Sequence, residues 1–100
     1  MEPSESDRFA FRLAECAVRR IDAAPEVLVS QFINELRRLR SLNGPKEPYD
    51  AMELAALDSW NALRALLLAR DEHGDLVRSM APLYVAVTQD ERIRIIQELT

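Results

Sequence analysis

The segment Ala51 to Ala69 constrains the fold more than any other, because fourteen of its nineteen residues are apolar. Only Glu53, Asp58, Ser59, Asn61 and Arg64 interrupt it, and its large residues do not share one face of a helical wheel. A helix that is apolar nearly all round has to be covered on most sides, by other helices of the chain or by a second subunit. The segment therefore predicts a central, largely buried helix over 51–72, ended by His73 and Gly74. Burial of that helix implies that Leu57→Asp or Leu63→Asp unfolds the protein or its dimer.

The flanking sequence supplies helices to cover it. Ser4 and Ser6 can each cap a helix, and acidic Glu5 and Asp7 follow them. Phe9, Leu13, Cys16, Ala17 and Ile21 then recur at helical spacing, which predicts a helix over 6–22. Pro25 suits the first turn of a second helix over 25–42, whose stripe runs through Leu28, Phe32, Ile33, Leu36 and Leu39. Asn43-Gly44-Pro45 is a strong stop. Asp50 and Glu53 have the spacing of a capping box at the start of the central helix. Asp75 opens a shorter helix over 75–87, kinked or restarted at Pro82. Thr88 and Glu91 form a second capping-box pattern, ahead of a final helix over 89–99. Two glycines in 100 residues leave little material for hairpins, and no segment alternates as a strand does. The class is all-α: a single domain built as a compact bundle of four to five helices.

Ala86 to Leu99 (AVTQDERIRIIQEL) resembles the segment that opens the helix-turn-helix of ArsR-type winged-helix repressors, with Arg92 at the matching arginine. It is similar as well to the Leu-Thr-x-x-Gln signature of periplasmic stress chaperones, with Val87 and Glu91 in place of Leu and Gln. What the two share is a capped amphipathic helix, and neither family is assigned.

Composition excludes several chemistries. A lone Cys16 rules out an intramolecular disulfide and multi-cysteine zinc, and a lone His73 rules out sites that need two histidines. The net charge of −4 gives no global attraction for nucleic acid. Arg19, Arg20, Arg37, Arg38 and Arg40 cluster in the last turns of predicted helices, where cations complement the carbonyl end. Asp71, Glu72, His73 and Asp75 are the one local group of metal-ligand types, with Asp71 and Glu72 placed by this reading at a helix C-terminus against the dipole rule. Consecutive ligands fan around a helix rather than converge, so no metal or cofactor is expected there. Cys16 reads as a buried, inert thiol on an apolar stripe. Asp58, Ser59, Asn61 and Arg64 read as the solvent strip of an otherwise buried helix. The alternative is a register-setting set in which Asp58 pairs with an arginine such as Arg64 and Ser59 and Asn61 hydrogen-bond across a helix pair. The polar, acidic start of the chain lacks a secretory pattern, and the longest apolar run is five residues against the roughly 20 that span a bilayer. A cytoplasmic chain with no membrane association is the expectation.

No catalytic constellation emerges. The sequence therefore points to a non-enzymatic helical protein–protein interaction module, homodimeric through Leu57, Trp60, Leu63 and Leu67. The alternative is a small nucleic-acid-associated regulator that uses the five clustered arginines.

Overall fold

Local chemistry divides the apolar segment in two. In a computed structural model, which describes residues 4–100, the elements are α1 (Glu5–Ala23), α2 (Pro25–Asn43), α3 (Glu47–Asp58), α4 (Trp60–Leu67), α5 (Glu72–Met80), a 3₁₀ turn (Leu83–Ala86) and α6 (Gln89–Leu99). The described residues contain no strand, and the chain is an all-α bundle of six helices rather than four to five.

The predicted helix over 51–72 is thus corrected to α3 and α4. Ser59 between them is extended (φ −170°, ψ 161°), and its hydroxyl accepts the Ala62 N–H at 3.0 Å. A serine that satisfies one orphan amide competes well with helix continuation, and here it wins. Its side chain caps α4 instead of bridging two helices. The break explains why the wheel showed no single face: two helices with different axes each bury their own stripe. Leu63 and Leu67 of α4 and Met52 of α3 are completely buried. Leu54 and Leu57 of α3 point to solvent, 70% and 66% exposed.

Helix α3 begins at Glu47, three residues before the first residue of the expected capping box, with Pro48 in its first turn. Asp50 and Glu53 are therefore inside the helix and face α2. The Arg40 guanidinium lies 3.1 Å from the Asp50 carboxylate, and Arg37 and Arg40 approach Glu53 at 3.2 and 3.3 Å.

The expected helix over 75–87 is also corrected. α5 starts at Glu72, capped by Asp71, whose carboxylate accepts the Gly74 N–H at 2.7 Å, and it ends at Met80. Pro82 then restarts the chain as the short 3₁₀ turn. Asp71, Glu72 and Asp75 therefore sit at a helix start, where negative charge is favourable. His73 and Gly74 belong to the first turn of α5 and end nothing. Gly74 is there because a Cβ at that position would lie 2.2 Å from the Ala69 carbonyl oxygen. The capping boxes of Ser4 with Asp7 and of Thr88 with Glu91 both form, opening α1 and α6.

Arg78 of α5 is buried, 3% exposed. Its Nη1 donates to the carbonyls of Leu67 (3.0 Å) and Ala69 (2.5 Å), and its Nη2 to Asp75 at 2.6 Å. The charge is spent on the carbonyl end of α4, where the Leu68 and Ala69 amides reach the Arg64 and Leu66 carbonyls and Arg78 takes those of Leu67 and Ala69.

Truncation of a wholly buried leucine leaves a cavity, so Leu63→Ala should lower unfolding free energy by about 2–5 kcal/mol. Leu57→Asp, at an exposed site, should cost less than about 1 kcal/mol. Gly74→Ala should destabilise despite the better helix propensity of alanine. Urea denaturation of the three variants checks all these signs; a Leu57→Asp chain that fails to fold would contradict the split helix.

Candidate functional site

Two residues one turn apart on α1, Phe9 and Leu13, form one wall of an open groove of about 410 Å³. Leu83, Tyr84 and Val87, from the 3₁₀ turn and the residue after it, form the floor. The floor exists because Pro82 prevents α5 from continuing. A four-residue 3₁₀ turn then buries Leu83 while leaving Tyr84 54% exposed. The Thr88–Glu91 box fixes where α6 begins and so brings Arg92 to the lip of the groove. Arg92 is exposed and forms no ion pair among the described residues. Asp7, the carboxylate at the groove edge, is held by the Ser4 capping box. The result is an apolar concavity with one uncommitted positive charge, in the size range of ordinary binding pockets, roughly 300–1,000 Å³.

Behind this groove a carboxylate ties α6 to α1. Glu91 accepts the Thr88 N–H at 2.8 Å, the Arg20 guanidinium at 2.5 Å and the Cys16 thiol at 3.2 Å. The Thr88 amide, followed by the Cys16 hydrogen bond, pushes the Glu91 carboxyl down to about 2. Burial, reinforced by Glu91, pushes the Cys16 thiol up, which keeps it in the unreactive thiol form.

A larger cleft of about 650 Å³ lies between α1 and the start of α5. Its walls alternate in charge, and much of that charge is already paired: Arg12 with Glu15 at 2.9 Å and Asp75 with Arg78 at 2.6 Å. Arg70 covers the Phe11 ring there, 3.6 Å from its centroid. Internal pairing leaves this cleft less to offer a ligand than the apolar groove.

The residues expected to form an interface are not brought together. Leu63 and Leu67 lie inside the chain's own core, whereas Leu57 is on the surface. Trp60 is half-buried at the α1–α4 contact, where its Nε1 donates to Asp22 at 2.7 Å. Arg64 grips the same carboxylate at 3.1–3.2 Å, so its partner is Asp22 and not Asp58. Arg64, then Trp60, hold the Asp22 carboxyl below its usual range.

The clustered arginines are mostly occupied. Arg20 binds Glu91 and the Ala86 carbonyl, Arg38 binds Glu35, and Arg37 and Arg40 bind Glu53. Arg19 is exposed and forms no ion pair among the described residues. Asp71, His73 and Asp75 turn to three separate partners: the Gly74 amide, the Glu47 carboxylate 2.9 Å from His73 Nε2, and Arg78. Among the described residues no group of three or more His, Cys, Asp or Glu side chains is arranged to hold a metal ion.

Sequence reasoning did not find the groove. Phe9 and Leu13 read as ordinary core positions, and Tyr84 as a member of a helix. The usable signal was Pro82, which forbids that helix and turns Tyr84 outward. No family model, curated protein or solved structure matches the chain.

The Glu91 anchor gives a pH signature. Its folded pKa, about 2, lies below the ordinary 4.5, so its stabilisation is fully present above pH 4.5 and is lost as pH falls toward 2. Denaturation followed from pH 6 to pH 2 should show stability falling through this window, with a shallower fall in Glu91→Gln. An unchanged acid limb in that variant would place the linkage on other carboxylates.

Proposed function

We propose that the protein is a non-enzymatic helical interaction module that receives an apolar helix face of a protein partner in the groove between α1 and α6. The observation that carries this reading is the groove itself: Phe9, Leu13, Leu83, Tyr84 and Val87 form an apolar trough whose one uncommitted charge is Arg92. Helix-in-groove recognition uses this combination, with side chains three or four residues apart as anchors and a charge at the rim for orientation. Homodimer formation is one use of such a surface. Among the described residues no helix is long and apolar enough to cross a membrane, and a cytoplasmic setting is part of this proposal.

The nucleic-acid reading draws less support. Arg20, Arg37, Arg38 and Arg40 already neutralise carboxylates of their own chain, so phosphate would have to compete with those pairs.

Affinity capture with the tagged chain, followed by reconstitution from purified components, tests the proposal. Tyr84→Ala should weaken partner binding about tenfold, the cost of an interface aromatic, with only a small loss in the unfolding midpoint of the free protein from its contact with Glu35 and Arg38 of α2. Equal binding by the variant would move the interaction away from the groove.

A further inference from the structure

The same molecule displays a shape that fits this groove. On α3, Leu54 and Leu57 are 70% and 66% exposed, spaced three apart on one face. Leu42 (67%) and Val27 (60%) are about as exposed but stand singly, whereas a pair at helical spacing is how a helix presents anchors to a groove. The helix that carries them contains four acids (Glu47, Asp50, Glu53 and Asp58) and no base. Three of those acids answer to His73, Arg37 or Arg40, whereas Asp58 is exposed and has no ion pair among the described residues. Asp58 lies four residues after Leu54, on the same side of the helix. One surface is therefore leucine with a spare negative charge; the other is an apolar trough with a spare positive charge at Arg92.

We infer that the exposed face of α3 in one copy of the chain docks into the α1–α6 groove of a second copy, with Leu54 and Leu57 in the trough and Asp58 toward Arg92. This inference rests on the reading of the groove as a helix-binding site and names its occupant. Charge complementarity selects the second copy: the anchors, the trough and the opposite spare charges are all present in one sequence. Within a single chain α3 forms no part of the groove wall, so the contact forms only between copies. Knob and trough are different surfaces, which makes the contact heterologous. It propagates from copy to copy or closes when two copies exchange α3 reciprocally.

Two exposed substitutions separate the halves. Leu57→Asp removes an anchor and leaves the trough; Arg92→Glu reverses the lip charge and leaves the anchors. Sedimentation or light scattering of the wild-type chain at rising concentration should show its mass increasing. Each variant alone should associate about tenfold or more weakly, with far-UV circular dichroism and unfolding midpoint unchanged. An equimolar mixture of the two should form dimers and nothing larger, because one intact α3 face and one intact groove remain between them. High salt should weaken the wild-type association.

A wild-type chain that stays monomeric at high micromolar concentration would overturn the inference. So would a mixture that stays monomeric. Association lost in Leu57→Asp but kept in Arg92→Glu would overturn it in favour of α3 pairing with α3. Failure here leaves a distinct readout for the groove's role: binding of a different protein partner, with its own sensitivity to Tyr84→Ala.

Discussion

The buried guanidinium of Arg78 joins three helices, and the rest of the architecture depends on that join. α4 has eight residues, so its unpaired carbonyls are a large share of its backbone, and its end at Leu67 lies inside the protein. Arg78 supplies donors to Leu67 and Ala69 while Asp75, one turn earlier on α5, neutralises the charge. The Phe11 ring of α1 lies 4.9 Å away and adds an aromatic face to the cation's surroundings. Nε is left buried without a partner, a cost set against the three hydrogen bonds of the other two nitrogens. The approach is close enough that only glycine fits at position 74. Because α5 is pinned at this end, the chain leaving it reaches Pro82 at a defined place, and the groove floor follows.

The other arginines orient helices more than they stabilise them. Arg12 to Glu98 and Arg20 to Glu91 tie α6 to α1; Arg37 and Arg40 tie α2 to α3; Arg64 ties α4 to α1. Exposed pairs of this kind are worth roughly 0–1 kcal/mol each, so the core supplies the stability and the pairs set the register. Seven of the thirteen Lys and Arg side chains form ion pairs among the described residues, so this arginine-rich chain with net charge −4 offers fewer free cations than its composition suggests. Those that remain, among them Arg92, matter more for recognition because nothing within the chain competes for them.

Much of the helical order was legible locally. Ser4, Pro25, Gly44 and Thr88 each act through their own backbone or the next turn, and each marks a boundary where the reading placed it within a few residues. The candidate site was less legible. Phe9 and Leu13 have the same spacing as true core residues, and nothing in that spacing separates a wall open to solvent from one that is filled. Ser59 was read as a polar insert in one long helix, although the same hydroxyl is a strong cap. A choice between continuation and capping differs by only about 1 kcal/mol locally, and packing decides it.

The residue pattern alone settles that this chain is helical, that it has no hairpin, and where proline and capping residues interrupt it, because those effects act over three or four residues. Which leucines are core was settled by contacts between distant segments. Leu63 is covered and Leu57 is bare because a break at Ser59 changes the helix direction between them. Asp71 and Glu72 changed from an anomaly at a helix end to favourable charges at a helix start once Gly74 could approach Ala69. Burial and helix direction are properties of the assembled chain, and no count along the sequence contains them.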